Sequence, residues 1–99
     1  MSNLKKESKM QAVKNCNKSH GGHWFSTDTM KFFRCRLPKT VIAEKYFITS
    51  EQFDTNSPRL FTIRSIEWET GKIDTIGEFQ QFESAKEAEK WLQNYLYNN

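Results

Sequence analysis

The stretch Arg59-Leu-Phe-Thr-Ile-Arg-Ser-Ile-Glu-Trp-Glu69 decides the fold. Its β-branched and aromatic residues suit a pleated, half-buried surface, so the spacing predicts a strand over 59–69. Phe61 and Ile63 share one face, whereas Ile66 and Trp68 fall on the opposite parity. That switch predicts a bulge or a strong twist midway along the strand. On either side lie Glu44–Ser50 and Lys72–Phe79, both rich in the same residue types and both predicted as strands. Asp54-Thr-Asn-Ser-Pro58 and Glu69-Thr-Gly-Lys72 separate them with turn chemistry, and the second is short enough for a tight hairpin. Three strands joined by short turns are most economically an antiparallel meander.

Beyond the strands, Ser84-Ala-Lys-Glu87 is a capping box: a serine hydroxyl can accept from the backbone amide three residues on. Ala85, Ala88, Trp91, Leu92, Tyr95 and Leu96 then hold an apolar stripe at helical spacing, predicting a helix over Ala85–Tyr97 that packs on the sheet. Upstream, Ser26 or Thr27 can cap a short helix over Asp28–Arg34, which Pro38 closes off; alternation of Phe33, Cys35 and Leu37 supports a competing strand. Residues 1–22 carry Lys5, Lys6, Lys9, Lys14 and Lys18 with few apolar positions and end in a turn-prone Gly-Gly. They read as a flexible Lys-rich arm, leaving 23–99 as one α+β domain.

A chain of 99 residues has room for one core. Only 36% of it is hydrophobic, but eight Phe, three Trp and three Tyr bury large areas per side chain. No apolar run reaches the ~20 residues of a membrane helix, and the first residues lack the apolar segment of a signal peptide, so the host-cell cytoplasm is the expected location. The net charge of +3 conceals an asymmetry: residues 1–50 hold ten Lys and Arg against three acids, and residues 51–99 hold five against nine. The two halves can offer a basic and an acidic surface if folding keeps them apart.

The words His23-Trp-Phe-Ser, Thr29-Met-Lys-Phe-Phe-Arg-Cys-Arg-Leu37, Tyr46-Phe-Ile-Thr-Ser-Glu-Gln-Phe53, Pro58-Arg-Leu-Phe-Thr-Ile-Arg64 and Ile73-Asp-Thr-Ile-Gly-Glu-Phe-Gln80 resemble a family of short proteins encoded by phages, prophages and plasmids. The resemblance runs from about Trp24 to Phe82 and leaves out the Lys-rich arm. It implies an origin in a mobile element and brings no catalytic residues with it.

Candidate chemistries are few. Cys16, His20, His23 and Cys35 supply four nitrogen and sulfur groups that a tetrahedral zinc ion could use, but their spacing matches no zinc-finger pattern, and free thiols beside a glycine loop are the better reading. The same cysteines and histidines form a nucleophile and base only if a third group orients them, and a Gly-Gly loop is a poor support for that. No enzyme, cofactor or small-molecule substrate is therefore expected. Glu67, Glu69, Glu83, Glu87 and Glu89 read as solvated acids. Arg34, Arg36 and Lys39 follow Phe32 and Phe33, and Arg59 and Arg64 extend the patch if the sheet gathers them. With Tyr46 and Trp68 they make a candidate partner-binding surface. The leading expectation is a non-enzymatic antagonist or regulator of a host protein or ribonucleoprotein complex that handles nucleic acid, of the anti-CRISPR or anti-restriction type. The alternative is direct DNA or RNA binding through Lys5, Lys6, Lys9, Arg34, Arg36 and Lys39.

Overall fold

The computed structural model describes residues 9–98. Three strands, β1 (Tyr46–Gln52), β2 (Arg59–Glu67) and β3 (Lys72–Ile76), form one antiparallel sheet in the order β1-β2-β3, the expected meander. The predicted bulge in β2 is not there. Pairing runs without interruption from Gln52↔Arg59 to Tyr46↔Ser65, and on the other side from Ile63↔Ile76 to Glu67↔Lys72. Both faces of the sheet are covered, so Phe61 and Ile63 serve one core and Ile66 the other.

The C-terminal helix, labelled α3 (Ala85–Tyr97), builds the first core. Ser84 caps it by accepting from the Glu87 amide at 3.1 Å, while the Glu87 carboxylate accepts from the Glu83 amide at 3.3 Å. Two otherwise unpaired donors at the helix start are thereby satisfied. Ala88 and Leu92 are fully buried against Ile48, Ile63 and Phe82, with Phe61, Ile76 and Trp91 packed around them.

The second core corrects the reading of the N-terminal arm. Lys9–Ser19 is a helix, α1, whose Met10 and Val13 are buried against Phe47, Ile66 and Val41. Its apolar stripe is short because the third inward position is Asn17. That side chain is buried, and its amide donates to the Gly71 carbonyl at 2.8 Å in the β2–β3 turn. A polar residue used in this way is invisible to a periodicity argument, which scores only apolar positions. The turn itself is tailored to the helix: Gly71 has φ +75°, and a Cβ there would stand 2.9 Å from the His20 Cβ and 3.0 Å from the Cys16 carbonyl oxygen.

A six-residue helix, α2 (Thr27–Phe32), follows α1 in the chain, with Ser26 as its cap, accepting from the Thr29 amide at 3.2 Å. After it the chain turns and pairs with the outer edge of β1. Arg36 and Ser50 exchange both backbone hydrogen bonds, and the Gln52 amide donates to the Phe33 carbonyl. The helical and extended readings of 28–37 are thus each realised in part, in succession. Among the described residues, no helix is long and apolar enough to cross a membrane.

Candidate functional site

The face of the sheet opposite α3 carries polar residues where a core would be expected. Thr49 and Thr62 stand opposite each other on β1 and β2, and Glu51 and Arg64 flank that pair diagonally. All four are buried. The Arg64 side chain reaches back over Thr49, donating to its hydroxyl at 3.3 Å, to Thr75 at 2.8 Å and to the Glu51 carboxylate at 3.0 Å. Glu51 also accepts from Thr49 and from Thr62. Among the described residues no buried side-chain nitrogen or oxygen lacks a partner, as an ion pair in a low-dielectric setting requires. Aromatic rings finish the enclosure: the guanidinium lies 5.0 Å from the Trp24 ring centre and 5.4 Å from that of Phe79.

Cys35 sits at the margin of this network, its sulfur 4.0 Å from the Glu51 carboxylate. Burial, and then the Glu51 charge, push its thiol up to about 11. A thiol held neutral in this way is a poor nucleophile at neutral pH.

Outward from the ion pair the surface becomes apolar. Phe32 is 77% exposed, Phe53 84%, and Phe33 and Phe79 are exposed to a smaller extent. Phe33 meets Phe32 edge to face at 4.9 Å and Phe79 at 5.9 Å. The rings border two adjoining hollows. One, of about 360 Å³, runs from Trp24 and Met30 to Phe33 and Phe79; the other, of about 470 Å³, lies among Phe32, Phe33, Phe53 and Phe79. Gln80 holds this loop in place, its backbone amide donating to the Thr62 hydroxyl and its side chain to the Glu51 carbonyl. A cluster of four exposed phenylalanines is unusual for a surface with no partner to cover it.

The end of α2 sets the basic groups beside this trough. The amide of Cys35 donates to the Met30 carbonyl at 2.9 Å and that of Arg34 to Lys31 at 3.1 Å, closing the helix as a Schellman motif. Arg34 occupies the left-handed position, φ +49°, where glycine is usual. Its carbonyl accepts from the Arg59 guanidinium at 2.8 Å, and Arg59 also donates to the Ser50 carbonyl and hydroxyl. Partial burial, then the positive charge of Arg36 and of Arg34, hold the Arg59 pKa below its ordinary value. Among the described residues the ion pairs are Arg64–Glu51 and Lys72–Asp74, so none of Arg34, Arg36 and Arg59 has a carboxylate within bridging distance.

Of the residues expected to bind a partner, Arg34, Arg36 and Arg59 are therefore brought together. Arg64 is not available to a partner; it is 8% exposed and committed to Glu51. Tyr46 is half-buried against the α3 core, and Trp68 lies at the far end of β2, donating from its indole to the Glu44 carbonyl at 2.9 Å. Nine residues of extended chain, ~30 Å, separate Arg59 from Trp68. Lys9 borders a hollow near Trp68, also away from the arginines. Lys39 is exposed. Lys5 and Lys6 lie outside the described residues. The candidate zinc set is not assembled: Cys16 donates to the Trp68 carbonyl, His20 Nδ1 is 2.9 Å from the Cys16 carbonyl oxygen, and Cys35 is next to Glu51. Among the described residues, no three His, Cys, Asp or Glu side chains converge to hold a metal ion. Cys16 and His20 do approach within 4.0 Å, but that imidazole nitrogen is also within hydrogen-bonding distance of a backbone carbonyl.

Trp24, Glu51, Phe53 and Phe79 belong to the site without having been singled out for it. Phe53 carried the only local signal, a large apolar residue directly before the polar turn Asp54–Pro58.

Fold and site together define a small α+β protein whose open three-stranded sheet is covered on both faces and whose edge bears an aromatic trough beside clustered arginines. The chain belongs to DUF7447, a family of unknown function, whose model matches residues 9–93. That match takes in α1 and most of α3, beyond the span of the resemblance seen in the sequence. No curated protein and no solved structure matches the chain.

Proposed function

We propose that the protein works by stoichiometric binding of another protein, without catalysis, through the phenylalanine trough at the β1 edge. The observation that carries this reading is the exposure of Phe32 and Phe53 beside two hollows wide enough to receive side chains. Burying one such ring against a partner contributes about 1.5–3 kcal/mol, and a few of them suffice for a specific contact. The resemblance to proteins of phages and plasmids supports a role as an antagonist or regulator of a host complex that handles nucleic acid, of which the anti-CRISPR and anti-restriction inhibitors are one form.

Capture of proteins from a host lysate by the wild type and by a Phe32→Ala, Phe53→Ala double variant tests it. A protein retained at physiological salt by the wild type and lost with the double variant is the expected result. Equal retention by both, or none by either, overturns the reading.

Direct binding of DNA or RNA is the second reading, favoured by the convergence of Arg34, Arg36 and Arg59. It predicts affinity for a single-stranded oligonucleotide that falls steeply with salt, less steeply after Arg34→Glu and Arg36→Glu.

A further inference from the structure

We infer that the occupant of the trough is an acidic peptide segment carrying a bulky apolar side chain, which seats that side chain among the phenylalanines and lays its carboxylates along Arg34, Arg36 and Arg59. The inference rests on the protein-binding reading above and adds to it the chemistry of the partner.

Charge complementarity decides the sign. Arg59 donates to the Arg34 carbonyl and to Ser50, the residue that pairs with Arg36, and among the described residues no carboxylate bridges any of the three arginines. Of the acids around them, Glu51 is buried and already neutralised by Arg64, and Asp54, whose carboxyl is held low first by its hydrogen bond from Ser57 and also by the Arg34 charge, bridges none of the three. A ligand carboxylate would relieve the mutual repulsion of the arginines, whereas a basic or neutral ligand would not.

The position of the cluster supports a linear segment over a flat surface. Cys35 faces Glu51 and the aromatic side of the edge, while Arg36, paired with Ser50, stands one residue on, where alternation directs its side chain to the other side. Phe33, Arg34 and Arg36 therefore share one short stretch of edge, with Arg59 of β2 held against the Arg34 carbonyl, and a chain crossing that edge meets rings on one side and arginines on the other.

Ring geometry disfavours a nucleic acid. Phe33 meets Phe32 and Phe79 edge to face, at 86° and 73°, so these rings wall a hollow and do not stand as parallel platforms. Stacking of successive bases calls instead for open ring faces along a groove.

The experiment is selection of short random peptides, displayed on a carrier surface, against the folded protein, followed by affinity measurement on the enriched peptides and on an oligothymidylate. The expected outcome is enrichment of segments with clustered Asp or Glu beside Phe, Trp, Leu or Ile. Their affinity should drop as salt rises and become about tenfold weaker with either Phe53→Ala or Arg34→Gly. Arg34→Gly is a fold-safe probe, because glycine suits the left-handed conformation at that position. Enrichment of basic or uncharged peptides, no enrichment, or tight binding of the oligothymidylate alone overturns the inference. If the lysate still yields a protein that depends on Phe32 and Phe53 while the selected peptides carry no acids, the inference fails and the protein-binding reading stands.

Discussion

Arg64 and Glu51 form an ion pair across the β1–β2 ladder, Nη2 to Oε2 3.0 Å, with Arg64 reaching diagonally past the opposed threonines Thr49 and Thr62. Both members are buried, so each is tolerable only in the presence of the other. Glu51→Leu or Arg64→Met should each destabilise the protein by about 3–5 kcal/mol, since each leaves a buried charge without its counterpart. The double variant Glu51→Leu, Arg64→Met should recover part of that loss. Urea denaturation of the four proteins measures both effects, and a double variant that merely sums the single losses would contradict the pairing.

Arg34 holds a left-handed backbone conformation with a side chain attached. Arg34→Gly should remove about 1 kcal/mol of backbone strain and raise the melting temperature by several degrees. Thermal unfolding followed by circular dichroism checks the sign. A lowered melting temperature would mean that the arginine side chain contributes more to the fold than its backbone conformation costs.

Cys35 couples stability to alkaline pH. Its folded pKa is raised from 9.0 to about 11, by burial first and by Glu51 second, so the neutral thiol is the form the fold prefers. The contribution is fully present below pH 9 and is lost as pH climbs toward 11. Between these values the wild type should lose more stability than Cys35→Ala does. At neutral pH, iodoacetamide should modify Cys35 far more slowly in the folded protein than in urea, as read by peptide mass analysis.

Phe32 and Phe53 contribute little to the core. Phe53→Ala and Phe32→Ala should each change stability by less than about 0.5 kcal/mol, measured by urea unfolding, in contrast to their effect on partner binding. A large loss at either position would place that ring in the fold and not at an interface.

Val13, by contrast, is fully buried against Phe47 and Ile66. Val13→Ala should cost about 2 kcal/mol, far more than substitution in a flexible arm would. Removal of residues 1–22 should leave the sheet without one of its covers and shift the protein toward aggregation, observable by size-exclusion chromatography.

Much of this was legible in the linear sequence wherever the signal was local. The boundaries of α3 follow from Ser84, Glu87 and a stripe that repeats within every turn, and the three strands follow from composition between turn residues only a few positions apart. Such features are decided by neighbours in the chain. What α1 does was not legible, because one of its three inward positions is an asparagine that is satisfied by a carbonyl 54 residues away.

The site belongs to the same second category. Phe33, Phe53 and Phe79 are widely spaced in the chain, and Arg64 has the look of a surface charge until Glu51 is set beside it. The sequence alone determined that a meander and a capped helix would form, since periodicity and capping act over a few residues. Only the tertiary structure decided that both faces of the sheet would be covered, that one arginine would be buried while three others gathered at the β1 edge, and that the phenylalanines beside them would be left facing water. The reason is that strand register, set by pairing across the whole sheet, determines which side chains share a face.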